Sequence, residues 1–108
     1  MNTLKLTAKD FAETDAYYKK YIGETDVSNY EGNIEIESNL WYVFFDKLSA
    51  KGYILAMAGS GIEAGDGIEA GSVIKAGWGI DAGSGIEAGD GIEAGSVINA
   101  WLLLQCTN

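Results

Sequence analysis

Isoleucine recurs at every sixth position through the second half of the chain, and each isoleucine is followed by one variable residue and then by alanine. The isoleucines of this series are Ile62, Ile68, Ile74, Ile80, Ile86, Ile92 and Ile98. Alternate side chains of a strand point to opposite faces, so Ile62 and Ala64 face one way and Glu63 the other. The glycine-rich residues between triplets are typical of corners, because glycine tolerates conformations that other residues avoid. Each hexad is therefore predicted to form a short strand and a corner.

Strands this short need neighbours, and stacking coil on coil pairs their backbones and buries isoleucine and alanine inside. The pattern therefore predicts a small β-solenoid. A flexible linker has no reason to keep an isoleucine in every hexad, and a helix would lose roughly 1 kcal/mol for each glycine.

The number of hexads in a coil is open between three and four. A coil of three hexads stacks Lys75 against Glu93, which is favourable. A coil of four hexads stacks Glu63 on Glu87 and brings identical corners together, but like charges directly opposite each other repel. It also places Asp66 against Asp90.

The solenoid is expected to begin before the regular hexads and to fill residues 33–108. Degenerate coils are expected over 33–57, because Leu48-Ser49-Ala50 and Ile54-Leu55-Ala56 have the form of the triplets and Tyr42 and Ile36 keep the six-residue phase. Regular hexads follow over 58–100, with an apolar strand over 101–104. The aromatic segment 41–45 is either a wider strand or one that packs on the N-terminal segment.

Residues 1–32 are predicted to form a short helix and a loop. Thr7 is a plausible N-cap with Asp10 three residues later, and residues 8–22 contain good helix formers before Gly23. Phe11, Tyr18 and Ile22 would then share one face of the helix. The expected fold is mainly β, with this helix flanking the solenoid.

The composition argues against catalysis. The chain has no histidine and one cysteine, Cys106, which excludes catalytic pairs built on histidine and zinc sites of the cysteine and histidine type. Carboxylates are abundant, but they recur at repeat positions, which favours a solvated face over an acid–base pair. Calcium on the glycine corners is a weaker alternative, because the hexads supply few ligands. We expect no enzyme activity, cofactor or metal.

The net charge of −9 comes from 7 lysines and 16 acidic residues. A chain this acidic is not expected to bind nucleic acid or an anionic membrane. It lacks a signal peptide and a long apolar run, so a cytoplasmic location is expected. Seven acids in the hexads are the candidate partner-binding face: Glu63, Asp66, Glu69, Asp81, Glu87, Asp90 and Glu93. The plain interpretation is that these acids only keep the protein soluble. The more specific interpretation is that they bind the basic, nucleic-acid-binding surface of another protein.

The C-terminal end is apolar at Trp101, Leu102, Leu103 and Leu104. Such a run is either covered or makes a contact between copies, so a homo-oligomer, most simply a dimer, is expected.

The hexads resemble the hexapeptide motif of left-handed β-helices, in which an aliphatic residue is followed by glycine, alanine or an acid and, four positions on, by a small residue. Ile62-Glu63 fits the motif and Ser72 fills the small position, whereas Asp66, Trp78 and Asp90 occupy that position and depart from the motif. Acyltransferases built on this motif commonly use a histidine, which this chain lacks.

The string Gly61-Ile62-Glu63-Ala64-Gly65 is similar to the GxIxAG repeats of small phage and mobile-element proteins. This resemblance implies an inhibitor of bacterial immunity, of the anti-CRISPR kind, acting in the host bacterial cytoplasm through an acidic, nucleic-acid-mimicking surface. The alternative is a structural or oligomerisation module of a phage or bacterial assembly.

Overall fold

A computed structural model describes residues 2–14, 19–100 and 103–106, the last segment by its backbone alone. The chain is mainly β and forms a solenoid of about four turns. This confirms the solenoid that the hexads predict.

Three strands of the described chain precede the coils: β1 (Thr3–Leu6), β2 (Phe11–Glu13) and β3 (Lys19–Tyr21). Each coil then contributes three strands. In the first two coils these are β4 (Asn33–Ile36), β5 (Trp41–Phe45), β6 (Leu48–Ala50), β7 (Ile54–Ala56), β8 (Ser60–Ala64) and β9 (Ile68–Ala70). In the last two they are β10 (Val73–Ala76), β11 (Ile80–Ala82), β12 (Gly85–Ala88), β13 (Gly91–Ala94), β14 (Ile98–Ala100) and β15 (Leu103–Cys106).

The strands stack into three sheets, one for each side of the coil. Sheet A has the order β1-β4-β7-β10-β13, sheet B has β14-β11-β8-β5-β3-β2, and sheet C has β15-β12-β9-β6. The paired strands run parallel except β2 and β3, which are antiparallel.

The register fixes the coil at three hexads in the regular part of the solenoid. Ile62 pairs with Ile80, which pairs with Ile98. Lys75 lies beside Glu93, and their charged groups are 3.9 Å apart. The four-hexad alternative is therefore wrong, and the favourable Lys75–Glu93 contact was the correct guide.

Inside the coils, isoleucine stacks on isoleucine and alanine on alanine. Ile62, Ile68, Ile74, Ile80 and Ile86 are fully buried, and the alanines of the same strands are nearly so. Burying a side chain of this size contributes roughly 1.5–3 kcal/mol, so the isoleucine stack is the main stabilising feature of the solenoid.

The six-residue phase fails in the first coil. Ile34 and Val43 pair with Ile54 and Ile62, so they take the isoleucine positions. Ile36 takes an alanine position instead, and Tyr42 points outward opposite Gly61. The early coils contain extra residues. A displacement of one residue turns Tyr42 to the outer face, whereas a displacement of two leaves Ile36 facing inward at an alanine position. Counting back by six therefore misassigned these residues.

The predicted helix over 8–22 does not form. The Thr7 N–H donates to the Asp10 carboxylate at 2.8 Å, but it closes only one 3₁₀ turn, Ala8–Asp10. Strands follow because Phe11, which is buried, packs edge-on against Phe45, with ring centroids 5.7 Å apart. Ile22, expected on the buried face, is 60% exposed. Tyr18 lies outside the described residues.

The same contact answers the question about the aromatic segment. β5 is a five-residue strand paired along its length with β8, and its Phe45 packs on Phe11 and Tyr21 of the N-terminal segment. Residues 41–45 therefore form a wider strand that also packs on the N-terminal segment, so both alternatives are correct.

The N-terminal end of the solenoid is covered by chain. The Tyr30 N–H donates to the Ser49 carbonyl at 2.9 Å, and the Ser49 N–H donates to the Val27 carbonyl at 2.8 Å. The exposed side of β6 thus has hydrogen-bond partners. Within the described residues, no helix has the length and apolar character that crossing a membrane requires.

Candidate protein-binding surface

Each strand of the regular coils places one side chain outward between its isoleucine and its alanine. Because the strands pair in register, these outward residues form one column along each sheet, with neighbours about 4.8 Å apart. The three columns differ in charge, and the candidate binding surface lies on the sheets whose columns are acidic.

The column on sheet A alternates in sign. Along the stack it reads Lys5, Glu35, Leu55, Lys75 and Glu93. The Tyr53 hydroxyl donates to the Glu35 carboxylate, and this hydrogen bond raises the pKa of Tyr53. Sheet A is therefore close to neutral, although it carries Glu93 of the predicted acidic face.

The column on sheet B brings two acids together. Glu63 on β8 lies directly beside Asp81 on β11, with Phe44 before the pair and Asn99 after it. Both acids are half-buried. Burial raises the pKa of Glu63, and the negative charge of Asp81 raises it further. The pair therefore carries an electrostatic cost that the fold does not relieve.

The column on sheet C repeats the arrangement on a more exposed face. Glu69 on β9 lies beside Glu87 on β12, with Ser49 before the pair and Gln105 after it. Lys47 reaches Glu69, with Nζ and Oε1 3.8 Å apart. The three-hexad coil thus stacks like charges on two sheets. From the sequence we had expected such stacking only in a coil of four hexads.

The remaining two predicted acids lie at corners. Asp66 joins Glu69 and Glu87 around a shallow cleft of about 530 Å³ that Lys47 and Ser84 also line. Asp90 accepts a hydrogen bond of 3.3 Å from the Ser72 hydroxyl at another corner. The seven acids therefore do not share one face: five lie on sheets B and C or the corner between them, and Glu93 and Asp90 lie apart.

An aromatic patch, formed by Trp41, Tyr42 and Trp78, lies next to the acids of sheet B. The ring centroids of Trp41 and Trp78 are 4.6 Å apart, and those of Tyr42 and Trp78 are 5.6 Å apart. Sequence reasoning did not select these residues as a site. The available signal was Trp78, which is the aromatic residue of the hexads and breaks their serine and aspartate pattern.

Glycines make room for the patch. The Tyr42 ring lies along the outward column formed by Gly61 and Gly79, and a Cβ at Gly61 would meet Tyr42 Cδ1 at 2.9 Å. A Cβ at Gly79 would collide with the Tyr42 hydroxyl. Burial raises the pKa of Tyr42, a hydrogen bond with Ser96 opposes the rise, and the charges of Asp81 and Glu63 add to it. The patch and the acidic pair are therefore close enough to interact.

The predicted oligomer contact is only partly described. Trp101 and Leu102 lie outside the described residues. Leu103 and Leu104 belong to β15, where they pair with Gly85 and Ile86 of β12.

Among the described residues, no three acidic or cysteine side chains are grouped as metal ligands would be. Comparison of the chain with models of protein families, with curated proteins and with solved structures found no match. The function is therefore inferred from the surface.

Proposed function

We propose that this chain is a non-enzymatic binding protein that covers the basic, nucleic-acid-binding surface of a protein partner. In the form that its repeats suggest, it is an anti-CRISPR-like inhibitor from a phage or mobile element that blocks a bacterial defence or nucleic-acid-processing protein. The observation that carries the proposal is the in-register stacking of like charges on two sheets.

This stacking is costly and is not needed for solubility. Like charges directly opposite each other across two strands destabilise a sheet by roughly 0.2–1 kcal/mol. Sheet A of the same molecule avoids the cost by alternating lysine with glutamate, as Lys75 and Glu93 show. Sheets B and C instead pair Glu63 with Asp81 and Glu69 with Glu87. A basic partner would relieve both repulsions on binding, which supports a binding role.

The test begins with capture from a bacterial lysate on immobilised chain, followed by elution in steps of salt. A captured protein supports the proposal only if it binds nucleic acid and the chain displaces that nucleic acid in an anisotropy assay. Neutralising both pairs, with Glu63→Gln, Asp81→Asn, Glu69→Gln and Glu87→Gln, is expected to weaken binding at least tenfold. Lys75→Gln with Glu93→Gln is the control, because it removes two charges of opposite sign.

The expected salt dependence follows from screening. The Debye length falls from about 10 Å at 0.1 M salt to about 3 Å at 1 M, so an acidic surface loses its partner as salt rises. A partner whose affinity ignores salt, or one that still binds nucleic acid in the complex, would contradict the proposal.

The second candidate is a structural or oligomerisation module, favoured by the C-terminal end of the solenoid. In the described part of the chain, β13, β14 and β15 each have a strand partner on one side only. Ile92 and Ile98 are half-buried there, whereas the isoleucines behind them are fully buried. Unpaired strand edges over partly exposed apolar residues favour association. Light scattering over a hundredfold range of concentration tests this, and a strict monomer throughout would count against it.

A further inference from the structure

The aromatic patch is held in place by strained and buried backbone. Trp41 has a φ of 64°, in the left-handed region that bulky residues rarely adopt. The Leu40 N–H donates to Ser60 Oγ at 3.0 Å, and the Trp41 N–H donates to the Gly59 carbonyl at 3.0 Å. Ser60 is fully buried. This arrangement fixes an indole that is 59% exposed, and strain of this kind is concentrated at functional sites.

The patch adjoins charges that ion pairs of the protein leave unmatched. Among the described residues, lysines form ion pairs with Glu31, Glu69 and Glu93, and none reaches Glu63 or Asp81. The Tyr42 ring lies against Gly61, and its hydroxyl overlies Gly79. These glycines precede Glu63 and Asp81 by two residues, so the two carboxylates lie on the same outward face as the Tyr42 ring. A surface with the exposed indole of Trp41 on one side, backed by the half-buried rings of Tyr42 and Trp78, and two adjacent carboxylates on the other is complementary to a flat cation.

The guanidinium of arginine fits these requirements better than an ammonium group. It is planar, stacks on aromatic rings and spreads its donors widely enough to bind two carboxylates. The two acids lie on neighbouring strands, about 4.8 Å apart along the stack. A sugar would also stack on the indoles, but it would leave the charges of Glu63 and Asp81 without a counter-charge.

We propose that Trp41, Tyr42 and Trp78, together with Glu63 and Asp81, form a binding site for an arginine side chain of a protein partner. The inference rests on the proposed function in one respect, namely that the arginine belongs to a protein partner. It narrows that function, because the decisive contact is then one site on sheet B and not the summed charge of the solenoid.

The tryptophan indole N–H signals in a ¹⁵N-correlated NMR spectrum test the site without a known partner. The chain has three tryptophans, so the signals are assigned by single Trp→Phe variants. The blocked tripeptide acetyl-Gly-Arg-Gly-amide is titrated against its lysine counterpart and against chitotriose. The arginine peptide is expected to shift the signals of Trp41 and Trp78 at several-fold lower concentration than the lysine peptide. Equal or greater shifts with the sugar would overturn the proposal.

Two matched double variants separate a site from bulk charge. Glu63→Gln with Asp81→Asn removes two charges beside the patch, and Glu69→Gln with Glu87→Gln removes two from the equivalent pair on sheet C. The first is expected to weaken arginine-peptide binding about tenfold, equivalent to about 1.4 kcal/mol, and the second less than twofold. Equal losses would show that only overall charge matters and would refute the site.

A third variant tests the aromatic contribution while preserving the fold. Trp41→Gly removes the indole, and glycine accepts the φ of 64° without strain. Weaker peptide binding with an unchanged circular dichroism spectrum is expected, and unchanged binding would contradict the site.

The site and the proposed function fail separately. A basic partner whose binding is unaffected by the sheet B variants would leave the proposed function standing and remove this site. Peptide binding at the patch with no displacement of nucleic acid from a partner would support this site and contradict the proposed function.

Discussion

Glu63→Gln is expected to stabilise the protein, because it removes a repulsion that the register imposes. Glu63 lies beside Asp81 on the next strand. Two unit charges about 4.8 Å apart in a water-like dielectric repel by about 0.9 kcal/mol, at the upper end of the roughly 0.2–1 kcal/mol typical of such cross-strand pairs. We therefore expect the free energy of unfolding at pH 7 and low salt to rise by about 0.5–1 kcal/mol.

Urea unfolding followed by circular dichroism measures this gain. At 1 M salt the Debye length of about 3 Å is shorter than the strand spacing, so at least half of the gain should disappear. Asp81→Asn should give a similar gain, and the double variant no more than either single one, because removing either charge removes the repulsion.

The pH dependence has a definite sign. The pKa of Glu63 is raised in the folded state, so between the unfolded and folded pKa values the native state holds the additional proton. The penalty, which comes from burial and then from the charge of Asp81, is complete above the folded pKa and vanishes below the unfolded pKa of about 4.3. The stability advantage of Glu63→Gln over the parent should therefore shrink as the pH falls through this window.

Glu93→Gln is the matched control. Glu93 lies beside Lys75 with their charged groups 3.9 Å apart, on an exposed face. Its neutralisation should change stability by about 0 to −1 kcal/mol, opposite in sign to the change at Glu63. If both variants change stability in the same direction, the register of charges does not control it and the reasoning is refuted.

Three further predictions concern the coil itself. Ile80→Ala should cost about 3–4 kcal/mol in urea unfolding and Ile98→Ala about half as much, because Ile98 lies in the last coil and is only half-buried. Equal costs would contradict this. Gly83→Ala should lower stability by more than about 1 kcal/mol, because its Cβ would collide with the Gly65 carbonyl of the preceding coil. Gly91→Ala should change stability by less than about 0.5 kcal/mol, because the nearest atom to its Cβ is 3.8 Å away. Asn99→Lys should raise stability by about 0.2–1 kcal/mol through the neighbouring acid of sheet B and weaken binding of a basic partner, measured by calorimetry.

The regular coils could be predicted because one signal dominates them. An isoleucine in every hexad is explained by coils that stack isoleucine on isoleucine inside a solenoid. The structure shows this stacking, for example of Ile62 on Ile80. The helix predicted over 8–22 failed for a physical reason. Helical signals at Thr7 and Asp10 are local, whereas the edge of β5 and the ring of Phe45 offer strand pairing and burial from a distant part of the chain.

The aromatic patch could not be predicted for a related reason. Trp41 and Trp78 lie far apart in the sequence and meet only when the coil length is known. Trp41 lies beside Ser60 of the second coil, and Trp78 occupies the same corner in the third coil, so the two indoles meet across Ser60. A single sequence indicates that Trp78 breaks the repeat, but it does not indicate its neighbour.

The difference between the sequence repeat and the coil explains how the acidic columns arise. Residues 58–76 and 82–100 are the same except that Asn99 replaces Lys75, so the duplication has a period of four hexads while the coil has three. Each copied hexad therefore lies one sheet further round the solenoid. The copy of Glu63 is Glu87, which lies on sheet C beside Glu69.

The same displacement gives the single difference between the copies a meaning. The copy of Lys75 falls on sheet B beside Asp81, where a lysine would pair with the acid as Lys75 pairs with Glu93 on sheet A. The residue there is Asn99, which has no charge. A lysine at this position, as at the matching position of the other segment, would relieve the repulsion next to the aromatic patch. Asn99 leaves the Glu63–Asp81 pair without that counter-charge, and the arginine site that we propose requires such an unmatched pair.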